Sequence, residues 1–243
     1  MARFEFGMNS CRLVPPLLDF RAQIAAHHVR ESAHAAALNA VLSLRVPGLD
    51  VVAPREVVMP RMAPYFAAAA ESLVPGRGLV TAGQVHGREI AVVDDKFPVS
   101  VAGVASEIAA VDALITLRRD VVLGIVVADC CPVWLWSPNG RGVAVAHAGR
   151  KGAEAGIAAR AAVVLAQVSD CGVTDLIAFL GPCIRPPHYE VDIPHILRRQ
   201  LGEIGVHNVL DCGFDTAADD TRFYSYRMEK GHTGRMMAFG WVG

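Results

Sequence analysis

Residues 112–152 read DALITLRRDVVLGIVVADCCPVWLWSPNGRGVAVAHAGRKG, and two runs within them decide the fold. Residues 121–127 and 142–146 are short, continuous, apolar and rich in valine, as strands buried on both faces are. Each ends abruptly in reactive side chains. Asp129, Cys130, Cys131 and Pro132 follow the first, and His147, Ala148, Gly149, Arg150, Lys151 and Gly152 follow the second. If the two strands are neighbours, they deliver the Cys130 thiol and the His147 imidazole to one edge of a sheet. A second histidine, His86, lies upstream in Gln84-Val85-His86-Gly87, between two further short apolar runs. The expectation is that His86, Cys130 and His147 meet in space. Side chains alternate along a strand, so Cys131 should point away from that meeting place.

The 243 residues, 53% of them hydrophobic, suffice for a large buried core. No linker, repeat or low-complexity tract divides them, so one domain over 1–243 is expected. A net charge of −1 without a basic run argues against a nucleic-acid partner. No apolar run reaches the roughly 18 residues of a membrane-spanning helix. The opening MARFEFGMNSCRLVPP lacks the basic-then-apolar order of a signal peptide. A cytoplasmic location is therefore expected, with the six cysteines reduced and none spaced as C-x-x-C. Cys11, Cys171 and Cys212 read as small hydrophobes, and Cys183 as core packing.

Elsewhere, helix formers at 22–46 predict a helix, on which His27 and His34 could share a face. Residues 54–73 predict an amphipathic helix, secure over 65–73 beyond Pro60 and Pro64. Strands are expected at 79–82, 89–93, 112–116, 176–180, 222–226 and 236–242, and helices at 153–168 and 194–201.

The motifs QVHG at 84–87, DALIT at 112–116, LGIVVADCCPVWL at 123–135, VAVAHAGRKG at 143–152, FLGPCIRPPHYEV at 179–191 and FYSYR…TGRM at 223–236 occur in one order. With them the chain resembles the laccase-domain, polyphenol-oxidase-like family, which includes purine nucleoside phosphorylases and a peptidoglycan editing factor. The likeness covers residues 78–240. It implies an α+β fold of layered α/β/β/α type with mixed sheets, related to a toxin deamidase. It also implies a zinc site made by His86, Cys130 and His147. Two departures stand out. The family's HAGWRG is HAGRKG here, placing Arg150 where an aromatic is usual and Lys151 where an arginine is usual. The N-terminal family segment is reduced to Ser43-Leu44-Arg45, making residues 1–50 a diverged segment.

Two histidines and a cysteine suit zinc, whose catalytic sites use three protein ligands and leave a fourth position for water or substrate. Laccase-type copper chemistry calls for closely paired H-x-H histidines, and none of the nine histidines is so spaced. Arg150 and Lys151, before a helix, could hold phosphate or form a solvated pair. Arg227 matches a family arginine and could bind an anion or a carboxylate. Gln84 and Arg45 complete the substrate-binding candidates. Asp129 could orient a zinc ligand, act as acid or base, or cap the turn before Pro132. The leading expectation is a zinc-dependent enzyme acting on purine nucleosides or a related small molecule, by phosphorolysis, hydrolytic deamination or both. The alternatives are a metal-free Cys130–His147 hydrolase or amidase acting on a cell-wall precursor or specialised metabolite, and a non-catalytic ligand-binding member.

Overall fold

The computed structural model describes residues 13–28, 38–100, 104–138 and 140–243. Strand β1 (Leu17–Asp19), helix α1 (Arg21–His28) and strand β2 (Leu38–Ser43) come first. The long helix α2 (Arg55–Leu73) leads into β3 (Gly78–Gly83), β4 (Ile90–Val93), β5 (Ser106–Ala109) and β6 (Ala113–Thr116). The central apolar segment then gives β7 (Val121–Val127), β8 (Cys131–Trp136) and β9 (Val143–Ala148). Helices α3 (Arg150–Glu154) and α4 (Ile157–Ser169), β10 (Ile177–Leu180), α5 (Ile193–Glu203), β11 (Asn208–Asp211) and β12 (Met236–Val242) complete the order.

The strands form two mixed sheets of six, ordered β1-β2-β12-β7-β3-β5 and β11-β10-β8-β9-β6-β4. In the first, β3 runs parallel to β7 and β5 while β12 is antiparallel to β7 and β2. In the second, β8 and β9 form the antiparallel centre, and β4 and β11 are parallel edge strands. Alternation sorts the side chains into layers. Val143, Val145, Trp134 and Trp136 project into the core between the sheets. Their neighbours Ala144, Ala146, Val133 and Leu135 pack against Ile157, Leu165 and Leu197 of α4 and α5. On the far side Val58, Met62 and Phe66 of α2 are buried in the core of the first sheet. The α/β/β/α layering expected from the family resemblance is present. Among the described residues no helix is long and apolar enough to cross a membrane.

Several local expectations are corrected. Strands β7 and β9 are not neighbours: they belong to different sheets and face each other across the core. A run buried on both faces looks the same in either sheet, so its composition cannot say which one it joins. The helix expected over 22–46 ends at His28, and Leu38–Ser43 is a wholly buried strand between β1 and β12. Pairing on both edges outweighs its weak helical preference. Residues 222–226 form an irregular segment rather than a strand, its start held where Asp219 accepts hydrogen bonds from the backbone of Thr221 and Arg222. Helix α2 runs through Pro60 and Pro64, both exposed, so the missing hydrogen bonds fall where water can substitute. The helix expected at 153–168 starts earlier and breaks at Gly156, whose φ of 79° requires glycine. Cys11 and His34 lie outside the described residues, as do the side chains of His27 and His28.

Trp134 ties the sheets together. It is fully buried, stacks near Phe20 and Phe179, and donates its indole N–H to the Phe239 carbonyl at 2.8 Å. Opposite it the backbones approach so closely that a Cβ on Gly240 would lie 2.6 Å from Val145 Cγ2. Trp134→Ala should therefore cost about 3–5 kcal/mol, through the cavity and the lost indole hydrogen bond. Urea denaturation checks this, and a loss below about 1 kcal/mol would contradict the packing described.

Candidate metal centre

The chain crosses from one sheet to the other at Ala128-Asp129-Cys130, with Asp129 at φ 82°. Cys130 is the residue before β8, so alternation turns it to the inter-sheet side and Cys131 to the helix side. Cys131 is fully buried there, its Sγ 3.6 Å from the Pro132 carbonyl and 3.7 Å from that of Gly181. His147, next to last in β9, shares the inward parity of Val143 and Val145 and is 2% exposed. His86 comes from the loop after β3, with φ 60°. The ligand atoms of His86, Cys130 and His147 lie within 4.8 Å of one another, the one such trio among the described residues. The two imidazoles meet edge to face at 4.8 Å between centroids. Gly149 leaves the space open, since a Cβ there would lie 2.8 Å from Cys130 Sγ and 3.2 Å from His86 Cδ2.

One residue that the sequence reading took only as a strand start holds this trio. Asp112 is fully buried at the mouth of β6. Its Oδ1 accepts hydrogen bonds from His147 Nδ1 at 2.8 Å and the His86 N–H at 3.0 Å. Its Oδ2 accepts from the N–H groups of Gly87 at 2.7 Å and Val85 at 3.2 Å. A left-handed backbone at a histidine costs of order 1–3 kcal/mol, and three amides on one carboxylate hold it in place. The same carboxylate fixes His147 with Nδ1 toward Asp112, leaving Nε2 for the site. Burial raises the pKa of Asp112, but its bonds from His147, Gly87 and Val85 more than offset this, so the carboxyl stays below the usual range. Burial likewise opposes charge on Cys130, yet the His147 cation and hydrogen bonds from both histidines bring the thiol down to about 6. Burial disfavours the His147 cation, but Cys130 and Asp112 raise it to about 9. Each of Cys130 and His147 thus favours the charged form of the other.

The trio opens on a cleft of about 870 Å³, whose lining includes Gln84, Asp129, Arg150 and Arg227. The other candidates divide differently from expectation. Gln84 borders the cleft, but its carboxamide is used on β7, donating to the Val126 carbonyl and accepting from the Val126 N–H, both at 2.8 Å. It anchors the loop that carries His86. Asp129 bonds neither histidine. Its carboxylate accepts from Thr216 Oγ1 at 2.7 Å, Ser225 Oγ at 3.1 Å and the Arg227 N–H at 2.7 Å, so it holds the cleft's other wall. Arg150 is drawn to Glu154 at 3.0 Å and Glu190 at 3.5 Å. Lys151 is an exposed residue of the short α3 and does not line the cleft. Arg227 pairs with Glu190 at 3.1 Å and lies over the Tyr189 ring. Arg45 is also outside the cleft lining, bound to Glu229 at 2.9 Å and stacked on Tyr224. A lone arginine in sequence carries no sign of the carboxylate it will find. Missed were Asp112, Arg55, Tyr226, Lys230, His232 and Arg235. An aspartate opening a buried strand, and the arginine of TGRM, were the available signals.

Asp112→Asn replaces an acceptor-only group by an amide that also donates, toward N–H groups with nothing to accept. Metal affinity should fall about 10–100-fold, measurable by competition with a chelating dye. Unchanged affinity would mean that Asp112 does not orient the trio. In the metal-free protein, alkylation of Cys130 by iodoacetamide should rise with pH through about 6 and level off by neutrality. His147→Ala should move that midpoint upward, and a wild-type midpoint near the ordinary thiol value of about 8.5 would contradict the pairing.

The family model for multi-copper polyphenol oxidoreductase laccases matches residues 65–194 and 188–243. The chain is 31% identical over 190 residues to a purine nucleoside phosphorylase of Streptomyces griseus, covering 68% of this chain and 74% of that one. It is 30% identical over 191 residues to a purine nucleoside phosphorylase of Xylella fastidiosa, covering 66% and 70%. The fold superposes on the hypothetical protein YfiH of Bacillus licheniformis with a TM-score of 0.73 at 22% identity, covering 85% of this chain and 93% of that one. YlmD of Geobacillus stearothermophilus gives 0.69 at 24% identity, covering 87% and 94%. Fold, motif order and sequence agree, and this chain belongs to the multi-copper polyphenol oxidoreductase laccase family.

Proposed function

We propose that this protein is a zinc-dependent enzyme acting on purine nucleosides or a related small molecule, by phosphorolysis, hydrolytic deamination or both. The observation that carries the reading is the His86–Cys130–His147 trio, oriented by Asp112 and open to a cleft large enough for a nucleoside. The donor set fits the metal. Two imidazoles and a low-pKa thiol, with space kept by Gly149, match a three-ligand catalytic zinc site with bonds of about 2.0–2.3 Å. Multinuclear copper would need more histidines than this cluster has. When bound, zinc would supply a Lewis acid and lower the pKa of water.

The chain's own groups do the rest. Asp112 keeps the Nδ1 proton of His147 in place and so fixes the tautomer. Gln84 pins the His86 loop to β7. Asp129 holds the 216–227 segment that closes the cleft. The similarity to purine nucleoside phosphorylases supports the substrate class.

A second reading rests on the same line of groups. Cys130, His147 and Asp112 follow one another as nucleophile, base and orienting carboxylate, and without metal they could serve a hydrolase or amidase. Metal dependence separates the two.

Under the zinc reading, purified protein contains about one zinc per chain, and chelation abolishes turnover. Cys130→Ala should lose both while its thermal midpoint stays near wild type. Hypoxanthine from inosine plus phosphate would identify phosphorolysis, and inosine from adenosine would identify deamination. Full turnover in the chelated wild type, with rapid inactivation by iodoacetamide, would favour the second reading.

A further inference from the structure

Arg235 is a buried cation without a counter-ion. It is 8% exposed and lines the same cleft as the trio. Its Nη1 donates to the carbonyls of Thr233 and Gly234, both at 2.9 Å, which fixes the guanidinium without neutralising it. Among the described residues no carboxylate forms an ion pair with it, although a buried charge is ordinarily paired. Arg55, at the start of α2, lines the cleft beside it, exposed and, among the described residues, without an ion pair or side-chain hydrogen bond. Its charge reaches Arg235 strongly enough to oppose protonation there, second only to burial. Lys230, in the turn that also presents Tyr226, lines the cleft and likewise has no ion pair among the described residues.

The rest of the lining offers only partial compensation: the Tyr226 ring lies 5.7 Å from the Arg235 guanidinium, and Cys130 and Asp129 act on it from further off. The one carboxylate there is Asp129, and its oxygens accept from Thr216, Ser225 and Arg227. Arg150 and Arg227 are held by Glu154 and Glu190, so the surplus positive charge is concentrated on Arg235, Arg55 and Lys230. Three cations that have no carboxylate ion pair among the described residues suit a phosphomonoester, which carries about −1.5 to −2 at neutral pH, better than a single carboxylate. Arg55 also precedes the span matched by the family model, which begins at residue 65, so this arm is not shared through that match.

We propose that Arg235, Arg55 and Lys230 form an anion subsite for a phosphate carried by the substrate, so that this protein prefers a purine nucleoside 5′-monophosphate to the free nucleoside. The proposal deepens the nucleoside reading and rests on it for the purine, but the anion subsite uses none of the three candidate metal ligands.

Calorimetric titration of the full chain with adenosine, adenosine 5′-monophosphate and inorganic phosphate tests it, in wild type and in Cys130→Ala, where turnover cannot interfere. The monophosphate should bind about tenfold or more tightly than adenosine in both proteins, as expected for charge-assisted contacts. That advantage should shrink as salt rises. Arg55→Ala, at an exposed position, and Arg235→Gln, checked for folding by circular dichroism, should each remove most of the advantage while leaving adenosine binding unchanged. Equal binding of nucleoside and monophosphate by wild type overturns the proposal. So does a preference that survives both substitutions, because the phosphate then sits elsewhere. Tight inorganic phosphate with no advantage for the monophosphate would identify a free-phosphate pocket and overturn it too. If wild type binds none of the three, both the purine reading and the subsite fall. If phosphate compounds bind but no chelator-sensitive turnover is found, only the metal reading falls.

Discussion

The carboxylate of Asp112 is the constraint on which the rest of the site depends. It lies where two sheets, a loop and a buried strand converge, and it accepts from three successive backbone amides and one imidazole. Burial makes those bonds strong and their loss costly, because in a low dielectric an unpaired group has no water to turn to. One ionised side chain thereby sets the left-handed backbone of His86 and the ring orientation of His147 together. Cys130 needs no such support: the first residue before a strand is aimed by the strand itself.

Around this point the two sheets serve as a rigid frame with unequal faces. Valine and tryptophan fill the space between them, while the small alanines of β9 let α4 pack close on the outside. His147 inherits its direction from that alternation, as the next inward position after Val143 and Val145. The helix-side thiol of Cys131 takes the opposite direction, and it and Cys183 are buried in the apolar outer core. Two adjacent cysteines in sequence are thus separated into a reactive one and an inert one by the pleat alone.

The cleft's electrostatics follow a different logic from its geometry. Arginines that looked like anion binders in sequence are matched by glutamates: Arg45 by Glu229, Arg150 by Glu154 of its own helix, and Arg227 by Glu190. The unmatched charges belong to residues that no motif distinguished, apart from the arginine of TGRM. A family description that mentions several coppers also meets a cluster of only three ligands among the described residues. Ligand number and type therefore say more about the metal than the family's name does.

The sequence by itself brought Cys130 and His147 forward, because residues at strand ends take their direction from a period of two, and apolar valine-rich runs declare those strands, whereas His86, on a loop, takes its position from Asp112. It determined β7 and β12 to the residue, and the presence of α2, α4 and α5, because long periodic or uniformly apolar segments carry their own signal. Only the tertiary structure decided that β7 and β9 sit in different sheets, since burial on both faces looks the same in either. Only it turned Leu38–Ser43 into a strand, because edge pairing rather than propensity stabilises that segment. It alone gave Asp112 its role, and it alone told paired arginines from unpaired ones. Apart from Arg150 and Glu154, an i,i+4 pair on one helix, both depend on which side chains meet across tens or hundreds of residues, and no local pattern encodes such a meeting.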